Sequence, residues 1–101
     1  MKKYSVFVCG ENFLITLDGH EQKLGFYTTV FVEAQDEAAA EQATMKLLRT
    51  DKDLIDMIHN PESDSPVMFV EEIEELESFE NVTLPRTGFS FFSQEEEVEG
   101  G

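Results

Sequence analysis

A chain of 101 residues, 41% hydrophobic and with nine phenylalanines, has material for one packed domain and too little for two. Its 22 acids against seven bases give a formal charge of −15, a field that repels nucleic acid and anionic membrane and attracts basic partners or cations. A single cysteine, Cys9, excludes an internal disulfide and a cysteine metal cluster.

The opening MKKYSVFV sets two lysines before a short alternating run. That run is too short to span a membrane and lacks the form of a signal peptide, so the expectation is a cytoplasmic protein. Residues 3–9 alternate, with Tyr4, Val6 and Val8 on one side, and predict a first strand that holds Cys9 as a small core residue. Gly10-Glu11-Asn12 reads as a turn, and 13–17 as a second strand with Phe13, Ile15 and Leu17 facing together. Asp18-Gly19 is a hairpin signal, because glycine accepts positive φ. Residues 24–34 form the clearest strand. Phe26, Thr28, Val30, Val32 and Ala34 share one face. Tyr27, Thr29, Phe31 and Glu33 share the other, whose bulk fits a central strand or a homodimer contact.

After Gln35 the period changes. Residues 36–49 predict a helix with Asp36 as N-cap, Glu37 in the positive first turn, and Lys46 and Arg49 near the negative end. Thr50 offers a cap for a short second helix that buries Leu54, Ile55 and Ile58, with His59 at its C-terminal end. Asn60-Pro61 ends it, and residues up to Pro66 form a solvated loop. The stretch VMFVEEIEELESFE, 67–80, predicts a strand from 67 to about 73 and an irregular or bulged extension toward 78. In plain alternation Met68 and Val70 face one way, and Val67, Phe69 and Ile73 the other. Residues 81–87 read as a connection and 88–92 as the last strand, with Phe89 and Phe91 together. The expected organisation is a single domain over 1–92 with a flexible acidic tail at 93–101. The order β-β-β-α-α-β-β fits an α+β two-layer sandwich, with a mostly antiparallel sheet of four to five strands, one main helix and a short second one.

The sequence holds no assignable catalytic, cofactor-binding or metal-binding set. There is no glycine-rich phosphate loop. His20 and His59 lie 39 residues apart without a metal-ligand motif. Asp51, Asp53 and Asp56 miss the EF-hand pattern. The informative signal is lopsided charge: residues 1–50 carry −2, and residues 51–101 carry −13, from fifteen acids against two bases. The candidate interaction surface is therefore Glu71, Glu72, Glu74, Glu75, Glu77 and Glu80, with Arg86 and Tyr27 as anchors. The expected function is a small acidic, non-enzymatic protein-interaction domain, with homodimerisation as an option, that meets a basic protein surface, with no direct contact to nucleic acid or membrane. Two alternatives belong to other classes. One is a small enzyme or ligand-binding domain assembled from scattered residues such as Tyr27, His59, Arg86 and Glu33. The other is a nucleic-acid mimic or inhibitor, since same-side residues on a strand lie roughly 6.6 Å apart, close to two phosphate steps of about 3.4 Å each.

Overall fold

A computed structural model of the chain describes residues 1–93, apart from the side chain of Leu17. Most of the expected tail, 94–101, lies outside the described residues. Strands β1 (Lys2–Leu17) and β2 (His20–Ala34) form one long antiparallel hairpin. Its two turn residues are Asp18, at φ 52°, and Gly19, at φ 80°. Both lie in the left-handed region, as a tight two-residue hairpin turn requires.

The turn expected at Gly10-Glu11-Asn12 is instead a bulge within β1. Pairing steps from Gly10↔Phe26 to Phe13↔Leu24, which leaves one extra residue on β1. Asn12 supplies the local bend at φ 65°, a conformation asparagine tolerates better than most residues. The bulge has a simple effect on parity. Tyr4, Val6 and Val8 point to the core before it, and Phe13 and Ile15 after it, so even and odd positions join one buried face. What alternation reads as two short strands is thus one continuous strand.

Helix α1 (Glu37–Arg49) packs on β2 and β1 as the second layer. Asp36 caps it by accepting from the Ala39 N–H at 2.9 Å. Ala40, Thr44 and Leu48 are its buried residues. Thr44 meets the cost of burying its hydroxyl by donating to the Ala40 carbonyl at 2.8 Å. Thr50 does not start the next helix. Its hydroxyl and N–H return to the Lys46 and Leu47 carbonyls, so it closes α1. The neighbouring Asp51 caps α2 (Lys52–Met57), accepting from the Leu54 N–H at 3.2 Å. Leu54 is buried, whereas Ile55, expected inside, is exposed.

Beyond α2 the chain runs along β1. Ile58 bridges Ile15, and the His59 N–H donates to the Leu14 carbonyl at 2.8 Å, so His59 serves the sheet edge and not a helix end. The Asn60 carboxamide accepts from the Leu14 N–H and donates to the Asn12 and Asp64 carbonyls. One side chain therefore completes the strand edge beside the bulge. Asp64 returns the support. It accepts from the Asn12 amide and pairs with Lys23 at 3.0 Å, and these two contacts, the Asn12 bond first, hold its carboxyl below the ordinary value.

Strand β3 (Val67–Leu76) pairs with β1 and extends three residues past the expected limit. It too carries a bulge: Val70 pairs with Val8 and Glu72 with Phe7, so Glu71 is the extra residue. The consequence overturns the plain alternation. Ile73 joins Met68 and Val70 against the core, because the bulge reverses parity after Val70. Strand β4 (Ser90–Ser93) pairs with β2 and completes the antiparallel order β3-β1-β2-β4. Just before it, Phe31 donates to the Pro85 carbonyl and Thr87 to the Thr29 carbonyl, which continues the edge pairing along β2. Phe89 and Phe91 do face together, packed against the core. The architecture is a two-layer α+β fold with a four-stranded antiparallel sheet.

Candidate functional site

The helices cover one face of the sheet. The other face carries the candidate site. Cross-strand partners point to the same side, so the register gives the rows directly. Phe69, Cys9, Tyr27 and Ser90 form one row; Glu72, Phe7 and Thr29 form the next; Glu74, Ser5 and Phe31 form a third. Phe7 and Tyr27 stack with centroids 5.3 Å apart and an interplanar angle of 6°. Phe92 continues the series, 5.1 Å from Tyr27. At the far end Phe79 packs edge-on against Phe31, and Lys3 Nζ lies 6.0 Å from the Phe79 ring.

This aromatic strip is only partly covered. Phe7 is 36% exposed, Tyr27 38% and Phe69 39%. Contiguous apolar surface left open to water on a small monomer marks an interaction site more often than chance. Gly25 shapes one end of the strip. It pairs with Phe92, whose ring lies where a side chain at Gly25 would stand. A Cβ there would also come 2.7 Å from the Gly10 carbonyl oxygen, which is backbone and cannot swing away. Gly25→Ala is therefore expected to lift the Phe92 ring off Tyr27 and to cost about 1–3 kcal/mol of stability. Denaturant unfolding of the variant checks it; an unchanged midpoint would refute the close approach.

Cys9 is buried on the first strand, as expected, within this outer face and not under the helices. Burial, followed by the charges of Glu11 and Glu71, pushes its thiol pKa up. The thiol is therefore protonated at neutral pH and a weak nucleophile. The same two carboxylates reach Tyr27, whose phenol is pushed up first by Cys9, then by burial, Glu71 and Glu11. The negative field of Glu11 and Glu71 thus converges on the Cys9–Tyr27 row.

The six glutamates are not one surface. Glu72 and Glu74 stand on the outer face opposite Phe7 and Ser5, with the bulged Glu71 beside them. Glu75 pairs with Tyr4 and belongs to the opposite face, at the sheet end. Glu77 and Glu80 lie past the end of β3. The even carboxylate spacing that phosphate mimicry relies on is limited to Glu72 and Glu74, because the bulge offsets Glu71.

Arg86 is elsewhere. Its Nε donates to Asp51 Oδ2 at 2.6 Å and its Nη2 to Asp51 Oδ1 at 3.1 Å, with Asp53 at 3.3 Å. Its guanidinium carbon lies 4.1 Å over the Phe89 ring. The Arg86 and Asp51 side chains are only 12% and 11% exposed. Arg86 clasps the start of α2 to the β2 edge, away from the acidic face. The scattered set Tyr27, His59, Arg86 and Glu33 is not brought together either. His59 lines the β1 edge and Arg86 the β2 edge, with the width of the hairpin between them, while Tyr27 and Glu33 are six residues apart on β2. Among the described residues no group of three or more His, Cys, Asp or Glu is placed to hold a metal ion. One apolar cleft of about 240 Å³ lies between the helices and the start of β3, lined by Phe13, Leu48, Leu54, Ile58 and Met68 among others. It is smaller than the ~300 Å³ at which small-molecule sites usually begin.

Tyr27 and Phe31 stand out in the alternation of 24–34 and Phe69 in that of 67–73, but Phe7 and Phe92 do not. Phe7 carries a usable signal: it sits between Val6 and Val8, a large apolar residue on the face that should be polar if it were merely wet. No protein-family model, curated protein or solved structure matches the chain. Among the described residues no helix is long and apolar enough to cross a membrane.

Proposed function

We propose that this chain is a small acidic protein-interaction domain, without catalytic activity of its own, whose open sheet face receives the basic surface of another protein. One observation carries the reading: the half-exposed strip of Phe7, Tyr27, Phe69 and Phe92 is flanked by Glu11, Glu71, Glu72 and Glu74. An apolar centre with a charged margin is the anatomy of a protein interface. The sign of the margin selects a basic partner and speeds its approach. A homodimer through the same face is the second reading, favoured by the exposed rings, although it would bring two acidic margins together.

The test is capture by the full chain at low and high salt, with partners identified by mass and the binding then measured with the purified partner. Binding that weakens steeply with salt, and that weakens again in a Glu71→Gln, Glu72→Gln, Glu74→Gln triple variant, is the expected result. A partner bound independently of salt and of these three charges would overturn the proposal. Sedimentation at several concentrations separates the homodimer, whose mass would double.

A further inference from the structure

We infer that the open face reads arginine in particular, as guanidinium groups of an extended basic segment laid on the Phe7–Tyr27–Phe92 strip. This rests on the interaction reading above and narrows its partner class. Four observations carry it. First, the strip offers aromatic surface with carboxylates beside it: Glu72 is directly opposite Phe7, and Glu71 is close enough to raise both Cys9 and Tyr27. A planar guanidinium can stack on a ring and hold a carboxylate in the same pose, whereas an ammonium is a compact, strongly hydrated charge that does neither as well.

Second, the molecule already contains that arrangement. Arg86 lies on Phe89 while two of its nitrogens hold Asp51. Third, no cation of the chain is seen over the Phe7, Tyr27 or Phe92 ring among the described residues, and Lys23, on the same face of β2, is paired with Asp64. Lys3 sits on Phe79 at the other end, and Arg86 sits on Phe89 on the helix side of the sheet. Fourth, a second copy pairing face to face cannot supply the group, and one docked head to tail could offer only a single arginine, Arg49. The chain has two arginines, Arg49 and Arg86. Arg49 ends α1 on the opposite layer, and Arg86 is held by Asp51. The occupant is therefore a different protein, one that presents several arginines on an exposed segment.

The experiment uses the full chain and two labelled peptides of one length and charge, alternating arginine or lysine with serine, read by fluorescence anisotropy at low and physiological salt. The arginine peptide is expected to bind at least about fivefold more tightly than the lysine peptide. Phe7→Leu with Tyr27→Leu should erase that ratio, by weakening the arginine peptide down to the affinity of the lysine peptide. Glu71→Gln with Glu72→Gln should weaken both peptides together. Equal affinities for the two peptides in the unmodified chain would overturn the arginine inference and leave the basic-partner reading standing. A preference that survives loss of both rings would also overturn it. Absence of binding to either peptide at low salt would overturn both readings. Circular dichroism of each variant, compared with the unmodified chain, shows that the fold is kept; if the ring variant unfolds, single Tyr27→Leu, at an exposed position, reads the same ratio.

Discussion

Phe26→Ala is expected to cost about 3–5 kcal/mol, a large part of the stability of a domain this size. Phe26 is fully buried under the helical layer. Its ring centroid is 5.0 Å from that of Phe13, 4.9 Å from Phe89 and 6.4 Å from Phe91. One ring on β2 therefore joins β1 after its bulge to β4 and the segment before it. Truncation removes the burial of the ring and leaves a hole that three aromatic neighbours cannot all move to fill. Chemical denaturation measures the loss. Phe26→Leu, which keeps most of the volume, should cost much less. Hydrogen exchange adds a local reading: amides of residues 85–93 should lose protection first, because Phe89 and Phe91 of that segment rest on Phe26. A change below about 1 kcal/mol would contradict this packing.

Arg86→Ala is the second large effect, at about 2–4 kcal/mol, because it strands a mostly covered carboxylate. Asp51 has two tasks, capping α2 through the Leu54 N–H and pairing with Arg86. Asp51→Asn separates them, since asparagine is also a good cap but brings no charge. The ion pair carries a definite pH signature. The hydrogen bond from Arg86 comes first among the causes that lower the Asp51 pKa. A carboxyl lowered on folding adds stability that is complete above its unfolded value, about 3.9, and is lost as pH falls through the lower folded value. The raised pKa of Arg86 lies above the range in which the protein is handled, so it adds no slope there. The gap in stability between the unmodified chain and Arg86→Ala should accordingly be widest near neutral pH and close below about pH 4. Taking the difference between the two proteins removes the relief of general acidic repulsion that both share on acidification. A gap that stays constant down to pH 3 would show that Asp51 and Arg86 do not form the pair.

The layers, the main helix and the hairpin turn were legible because each rests on local chemistry. Asp36 and Asp51 are ordinary caps, and Asp18-Gly19 meets the turn's demand for positive φ. The cap of α2 lies one residue beyond the expected one because Thr50 and Asp51 both suit the role, and the return of Thr50 to the Lys46 and Leu47 carbonyls together with the contact to Arg86, 35 residues away, favours Asp51. A bulged extension is expected beyond residue 73, but neither bulge can be placed from the sequence, for a deeper reason. A bulge is an excess of one strand over its partner, so it has no meaning on one strand alone. Gly10 and Asn12 serve turns and bulges by the same backbone freedom. At Glu71 the reversal of parity moved Ile73 inward and left an acidic margin on the aromatic face. The negative charge of the site could be read from composition. Its address on the sheet depended on pairing that composition does not record.

The edge of β1 next to the bulge, closed by Ile58 to Asn60, bears on how the molecule behaves in a crowded solution. Exposed strand edges are templates on which copies add to one another and polymerise. Here the far half of β1 is occupied by its own chain, and β2 is bordered by residues 85–87 and β4. Among the described strands the sheet ends on the four-residue β4 and on the ten-residue β3, and the longer edge, that of β3, is kinked at Glu71 and studded with glutamate. The fold thus leaves one short and one long open edge, and guards the long one with mutual repulsion between copies.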